Sequence, residues 1–206
     1  MATGLKQEIL RKLIHLSSLW MPLSIGLFGS RMAFVLLGIA LLAVVSFEII
    51  RRTSHPLGKM LQQLFAPTLR EFELSESPKC TGALYMLIGA LLVTAIAPPA
   101  TAIAALTVLM ISDTLSALIG KRWGRTPLAG KSAEGTAAFF ISAVLITFCV
   151  APLSHHPLFL TGGIAASLVA TMAELYARHL RADDNLLIPL CYALIQMLVF
   201  WCGGTI

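Results

Sequence analysis

Between Ser112 and Gly135 the chain reads SDTLSALIGKRWGRTPLAGKSAEG, a short stretch holding Asp113, Glu134, Lys121, Arg122, Arg125 and Lys131. Asp113 falls inside an apolar run, where a charge costs about 2.5–3.5 kcal/mol at the centre of a membrane helix and less towards its end. Such a group normally faces a partner or a wet cavity. The four cations follow in a glycine-containing connector. Lys131 and Glu134 are spaced to share a face as the next helix begins, and Ser132 is placed to cap that helix. Backbone amides at a helix start, a nearby lysine and flexible glycines suit a phosphate. A carboxylate such as Asp113 suits the Mg²⁺ that neutralises phosphate charge. The stretch GRTPLAGKS is not a P-loop. Five residues separate Gly124 from Gly130 where that loop has four, and no strand is expected before it.

Two more clusters have the residue types of a polar site. In EILRKLIH, Glu8, Arg11, Lys12 and His15 fall at spacings of three, four and seven, which puts them on one stripe of a helix. In AELYARHLRADDNLLIPL, Glu174 nears the end of one apolar segment, and Asp183, Asp184 and Asn185 open the next. Asp183 is well placed as a cap, while Asp184 and Asn185 could reach a metal.

The elements that must position these residues are membrane helices. The 206-residue chain is 57% hydrophobic and 12% charged, against about 25% charged in a soluble domain. A membrane helix needs roughly 20 apolar residues. Seven segments qualify: Leu10–Phe28, Met32–Ile50, Cys80–Ala97, Thr101–Ile119, Glu134–Leu153, Leu158–Tyr176 and Leu186–Gly203. The expected fold is an all-α integral membrane protein of about seven transmembrane helices, with residues 1–206 forming one catalytic domain. Fourteen of the fifteen Lys and Arg lie in alternate connectors, and Arg31 alone lies on the other side. The positive-inside rule then predicts a cytoplasmic N-terminus and an external C-terminus. All ten acidic residues fall at or near the same cytoplasmic side, so the polar chemistry is expected there. In the connector between the second and third segments, Leu57, Met60, Leu61, Leu64 and Phe65 have the spacing of an amphipathic helix lying on the inner leaflet. Lys6, Arg11 and Lys12 stand before the apolar run of the first segment, and no small-residue cleavage site follows, which predicts a retained helix. The net charge of +5 is accounted for by topology and by phosphate-bearing substrates, not by nucleic acid. Cys80, Cys149, Cys191 and Cys202 form no CxxC pair and read as small apolar residues.

Taken in order, EILRKLIH, SDTLSALIGKRWGRTPLAGKSAEGT and DDNLLIPL resemble the signature blocks of the CTP-dependent lipid-alcohol kinases: dolichol kinase, phytol kinase and the CTP-dependent diacylglycerol kinases. The blocks span Glu8 to Leu190. The resemblance implies transfer of the γ-phosphate of CTP to the hydroxyl of a polyprenol, a phytol-like alcohol or diacylglycerol at the cytoplasmic face of a bacterial inner membrane. It places nucleotide binding on Gly120, Lys121, Lys131, Ser132, Glu134 and Gly135, with Arg122 beside them. The family's Gly-Asp pair falls on Ser112 and Asp113, with Ser in place of Gly. Its Asp-Asn-x-x-x-Pro element falls on Asp184, Asn185 and Pro189. The expected catalytic residues are Asp113, Asp184 and Glu134. The expected Mg²⁺ ligands are Asp113, Asp184 and Glu174. Glu8, Arg11, Lys12, His15 and Asn185 complete the site. Two other readings fit an apolar chain of this kind: a CTP:phosphatidate cytidylyltransferase-like enzyme and a small multi-span transporter. The second would place its polar groups near the bilayer midplane, whereas here they gather at one face. Oligomeric state is not encoded in any of these features.

Overall fold

The computed structural model of the chain describes residues 12–51, 60 and 80–204. Glu8, Arg11 and, apart from Met60, the amphipathic segment Leu57–Phe65 lie outside the described residues. Five helices are long and apolar enough to cross a membrane: Lys12–Arg51, Pro99–Trp123, Ala133–Leu153, Phe159–Tyr176 and Asp184–Cys202. Gly82–Ile96 is apolar but shorter.

The first two expected segments form one run. Helical residues 12–17 lead into α1 (Trp20–Arg51). A straight helix of 40 residues would be about 60 Å long, twice the roughly 30 Å of a hydrocarbon core. The run is broken at Gly29, whose φ of 77° and ψ of 163° are not helical. A side chain at that φ would be strained, and glycine is not. The two arms return to one end of the bundle. Lys12 pairs with Asp113, His15 feels the charge of Asp184, and Glu48 accepts a hydrogen bond from the Thr81 amide. Gly82, the next residue, lies against Asn185 beside Asp184. Lys12 and Glu48 therefore lie towards the same end of the bundle, and the chain reverses between them.

Helix α2 (Gly82–Ile96) leads into α3 (Pro99–Thr107). A π-helical turn, Val108–Ser112, continues α3 into α4 (Asp113–Trp123). Alanines 100, 102, 104 and 105 are all buried in α3. With so little side chain, that helix can lie at the centre, touching α1, α2, α5 and α7. The expected fourth segment stops at Ile119, but α4 runs on to Trp123. Asp113 opens an 11-residue helix and so lies about 15 Å from its end.

A hairpin that the sequence pattern does not reveal follows. Strands β1 (Pro127–Leu128) and β2 (Lys131–Ser132) pair antiparallel around Ala129 and Gly130, both with positive φ. Then come α5 (Ala133–Val150), a 3₁₀ turn at Ala151–Leu153, α6 (Phe159–Tyr176) and α7 (Asp184–Cys202). Helices α6 and α7 pack along each other, with Gly162 set against Val199 and Gln196. Leu23, Leu27, Val35, Ile39 and Leu42 of α1 are exposed, which suits a lipid-facing helix.

Candidate active site

The site is built where the helical lead before α1, the start of α4, the end of α6 and the start of α7 meet the β-hairpin. Asp113 is buried, with 6% of its surface exposed. Its Oδ2 accepts from Lys12 Nζ and lies 3.7 Å from His15 Nε2. His15 Nε2 also bonds the Leu109 carbonyl at 3.2 Å. That carbonyl belongs to the π-turn. The widened ladder there shifts carbonyls from their usual α-helical alignment, and the Leu109 oxygen meets the His15 side chain. One turn of atypical helix thus sets Asp113 and anchors the histidine beside it. Thr114 Oγ1 similarly donates to the Met110 carbonyl at 2.7 Å.

A second ion pair joins the hairpin to α6. Lys131 Nζ donates to Glu174 Oε1 at 2.5 Å and to the Glu174 main-chain carbonyl at 2.7 Å. Ser116 Oγ, on α4, donates to the same Oε1 at 2.9 Å. Lys131 also lies within electrostatic reach of Asp113, as Asp184 does of His15. Four of the expected residues, Lys12, His15, Asp113 and Lys131, therefore share one region with Asp184 at its edge, and three separate sequence blocks meet there.

The structure places the remaining candidates as follows. Lys131 does not share a helical face with Glu134, because Lys131 belongs to β2 and the helix starts at Ala133. Glu134 is only partly buried and accepts from the Thr126 amide at 3.1 Å, bracing the loop. Ser132 caps α5 as expected, accepting from the Gly135 amide at 3.2 Å. Asp183 caps α7, accepting from the Asn185 amide at 3.0 Å. Asn185 Nδ2 donates to Asp183 Oδ1 at 2.8 Å and more weakly to Asp184 Oδ1 at 3.4 Å. Lys121 and Arg122 are exposed at the end of α4, where Arg122 lies over the Trp123 ring. Pro189 packs against Gly89, and Ser112 is fully buried.

Gly120 and Gly135 are the contact point of α4 and α5. A Cβ on Gly135 would stand 2.8 Å from the Ser116 carbonyl and 3.1 Å from Ser132 Oγ. Gly135→Ala is therefore expected to force the helices apart, at about 1–3 kcal/mol for overpacking. Thermal unfolding in detergent should show a lowered midpoint. An unchanged midpoint would mean that this contact is dispensable.

One polar cluster lies outside the expected set. Glu48, 4% exposed, accepts from the Thr81 amide at 2.9 Å and from Arg51 Nε and Nη2 at 3.0 and 2.8 Å. Its signal is present in the sequence: a carboxylate within an apolar segment, three residues before an arginine.

A dedicated metal cage is absent among the described residues, which hold no group of three His, Cys, Asp or Glu. Mg²⁺ in phosphoryl-transfer sites needs less, one or two carboxylates completed by phosphates and water. Asp113 and Asp184 suit that donor set. Both of these contacts of Asp113 use Oδ2.

No protein-family model matches the chain, and no solved structure matches it. It is 29% identical over 193 residues to the uncharacterized protein MJ1137 of Methanocaldococcus jannaschii, covering 92% of each chain. It is 25% identical over 213 residues to CTP-dependent diacylglycerol kinase 1 of Schizosaccharomyces pombe, covering 94% of each. The uncharacterized protein RP860 of Rickettsia prowazekii is 31% identical over 185 residues, 89% of this chain and 90% of that one, and the chain belongs to the same family as that protein.

Proposed function

We propose that the chain is a membrane-embedded lipid-alcohol kinase that moves the γ-phosphoryl group of CTP onto a polyprenol, a phytol-like alcohol or diacylglycerol. The observation that carries this reading is Asp113, a buried carboxylate held by Lys12 and His15 and electrostatically linked to Lys131. The full-length similarity to a CTP-dependent diacylglycerol kinase supports the choice of donor and acceptor.

In this reading the lipid hydroxyl oxygen attacks the γ-phosphorus. The bond from that phosphorus to the bridging β-phosphate oxygen breaks, and CDP leaves with the electron pair. The hydroxyl proton passes to a carboxylate, Asp113 or Asp184. Lys131, with Lys121 and Arg122 at the rim, binds phosphate oxygens, and Ser132, Gly120 and Gly135 hold the hairpin against α4 and α5. Bound Mg²⁺ would sit on Asp113 and Asp184 and neutralise charge on the phosphates. Phosphoryl transfer asks for little covalent chemistry from the protein, and positioned charges of both signs at one face meet that need. The lipid tail stays among the apolar helices. We place this face on the cytoplasmic side of a bacterial inner membrane, following the distribution of Lys and Arg.

The test is thin-layer separation of products from purified protein, γ-labelled CTP, and a panel of polyprenol, phytol and diacylglycerol. Label in a lipid phosphate, lost on adding EDTA and not matched by ATP, is the expected result. With phosphatidate as a further acceptor in the panel, release of labelled pyrophosphate and formation of a CDP-lipid from it would replace the kinase by a cytidylyltransferase. No turnover with any of the three alcohols would sink the kinase reading.

A further inference from the structure

Lysine is a mobile phosphate ligand. Its four-carbon stem has many rotamers to lose, and its ammonium has three donors in no fixed direction. Lys131 stands on a strand of two residues, which by itself would hold that side chain poorly. Yet two of its three donors are committed. One goes to Glu174 Oε1 at 2.5 Å, the other to the carbonyl of the same residue at 2.7 Å. The ammonium is thus held from one side by one residue of a different helix, and its third donor is left for an anion. The Lys131 side chain is 20% exposed, and the Glu174 side chain 2%. The lysine is reachable from outside, and the glutamate behind it is not. Glu174 Oε2 is fully buried and has no hydrogen-bond partner. A cation shared with a triphosphate and water needs open space around its ligand, and Glu174 has none. Ser116, donating to Oε1 from α4, fixes the carboxylate from the other side.

We propose that Glu174 is a positioning residue that acts through Lys131, aiming its ammonium at a nucleotide phosphate, rather than a ligand of the metal. The proposal rests on the phosphate-binding role given to Lys131 above. It extends the nucleotide site to a buried carboxylate on α6 that the nucleotide never touches.

The test is a double-mutant cycle on the full chain in detergent, reading CTP affinity in the presence of Mg²⁺ by titration calorimetry. Glu174→Gln keeps the shape and removes the charge that orients the lysine. It is expected to weaken CTP binding about tenfold. In a Lys131→Ala background the same change should weaken it no further, because coupled residues are non-additive. The Mg²⁺ concentration for half-maximal binding should not move. If Glu174→Gln fails to fold, Glu174→Asp keeps the charge but draws the carboxylate back by one methylene, and the same weakening is expected. Wild-type affinity in a folded Glu174 variant, additive losses in the double variant, or a raised Mg²⁺ requirement would each overturn the proposal. The kinase reading fails on a separate measurement, absence of lipid phosphate from the wild-type protein, and the binding cycle can still be read in that case.

Discussion

Asp113→Asn is expected to reduce turnover by at least ~10²-fold, the lower range for a lost acid–base group, in protein that still folds. The substitution keeps size and hydrogen-bonding capacity and removes only the charge. A purely structural carboxylate would behave differently. Asp113 does have an ion-pair partner, Lys12, and losing that pair will lower stability in either case. The two roles separate when the rate is counted per folded molecule. If Asp113 only neutralises Lys12, folded Asp113→Asn protein should turn over CTP near the wild-type rate once assayed below its own melting range. If Asp113 takes the proton or faces the metal, the folded fraction stays inactive at every temperature. A folded variant with near-wild-type turnover would return Asp113 to a structural pair and remove the centre of the proposed site.

The partner of Asp113 shows how much of this molecule is written in its sequence. A carboxylate in an apolar run announces itself, because the membrane makes it costly, so Asp113 stands out from its neighbours in the chain alone. Its partner does not. The neighbouring loop offers four cations close in sequence, and the one that pairs is Lys12, from the first helix. The same local logic misplaces Lys131. A spacing of three residues favours Glu134 only if both residues are helical, and the two-residue strand ends before the helix begins. Once β2 projects the lysine away, Glu174 on α6 becomes its partner, 43 residues along. Local rules hold where the contact is local: Ser132 and Asp183 cap the helices they are expected to cap. Hydrophobic runs locate the helices but not their continuity. Gly29 reads as part of a connector, whereas it is a break inside one helical run. The end of α4 is hidden because Lys121, Arg122 and Trp123 are too polar or too bulky to read as membrane interior, although they still suit a helix C-terminus.

Lys12→Met should produce the largest loss of stability of the substitutions considered. Lys12 and Asp113 side chains are each 9% exposed, so removing the lysine leaves a carboxylate in a buried place without its main partner. Breaking a buried pair in this way costs about 3–5 kcal/mol. A thermal midpoint lower by on the order of 10 °C is the expected readout in a chain of this size. His15 cannot fully take over, since it stands 3.7 Å from Asp113 and is held by the Leu109 carbonyl. Methionine matches lysine in length, so the loss reports charge more than volume. The double variant Lys12→Met with Asp113→Asn removes both charges and should recover most of the lost midpoint, because the cost lies in the unpaired charge and not in the missing bond. It should recover none of the activity. Stability and turnover would then part company at one pair of residues. A Lys12→Met protein that melts with the wild type would mean that water already solvates Asp113, and that the helical lead before α1 contributes nothing to holding the site together.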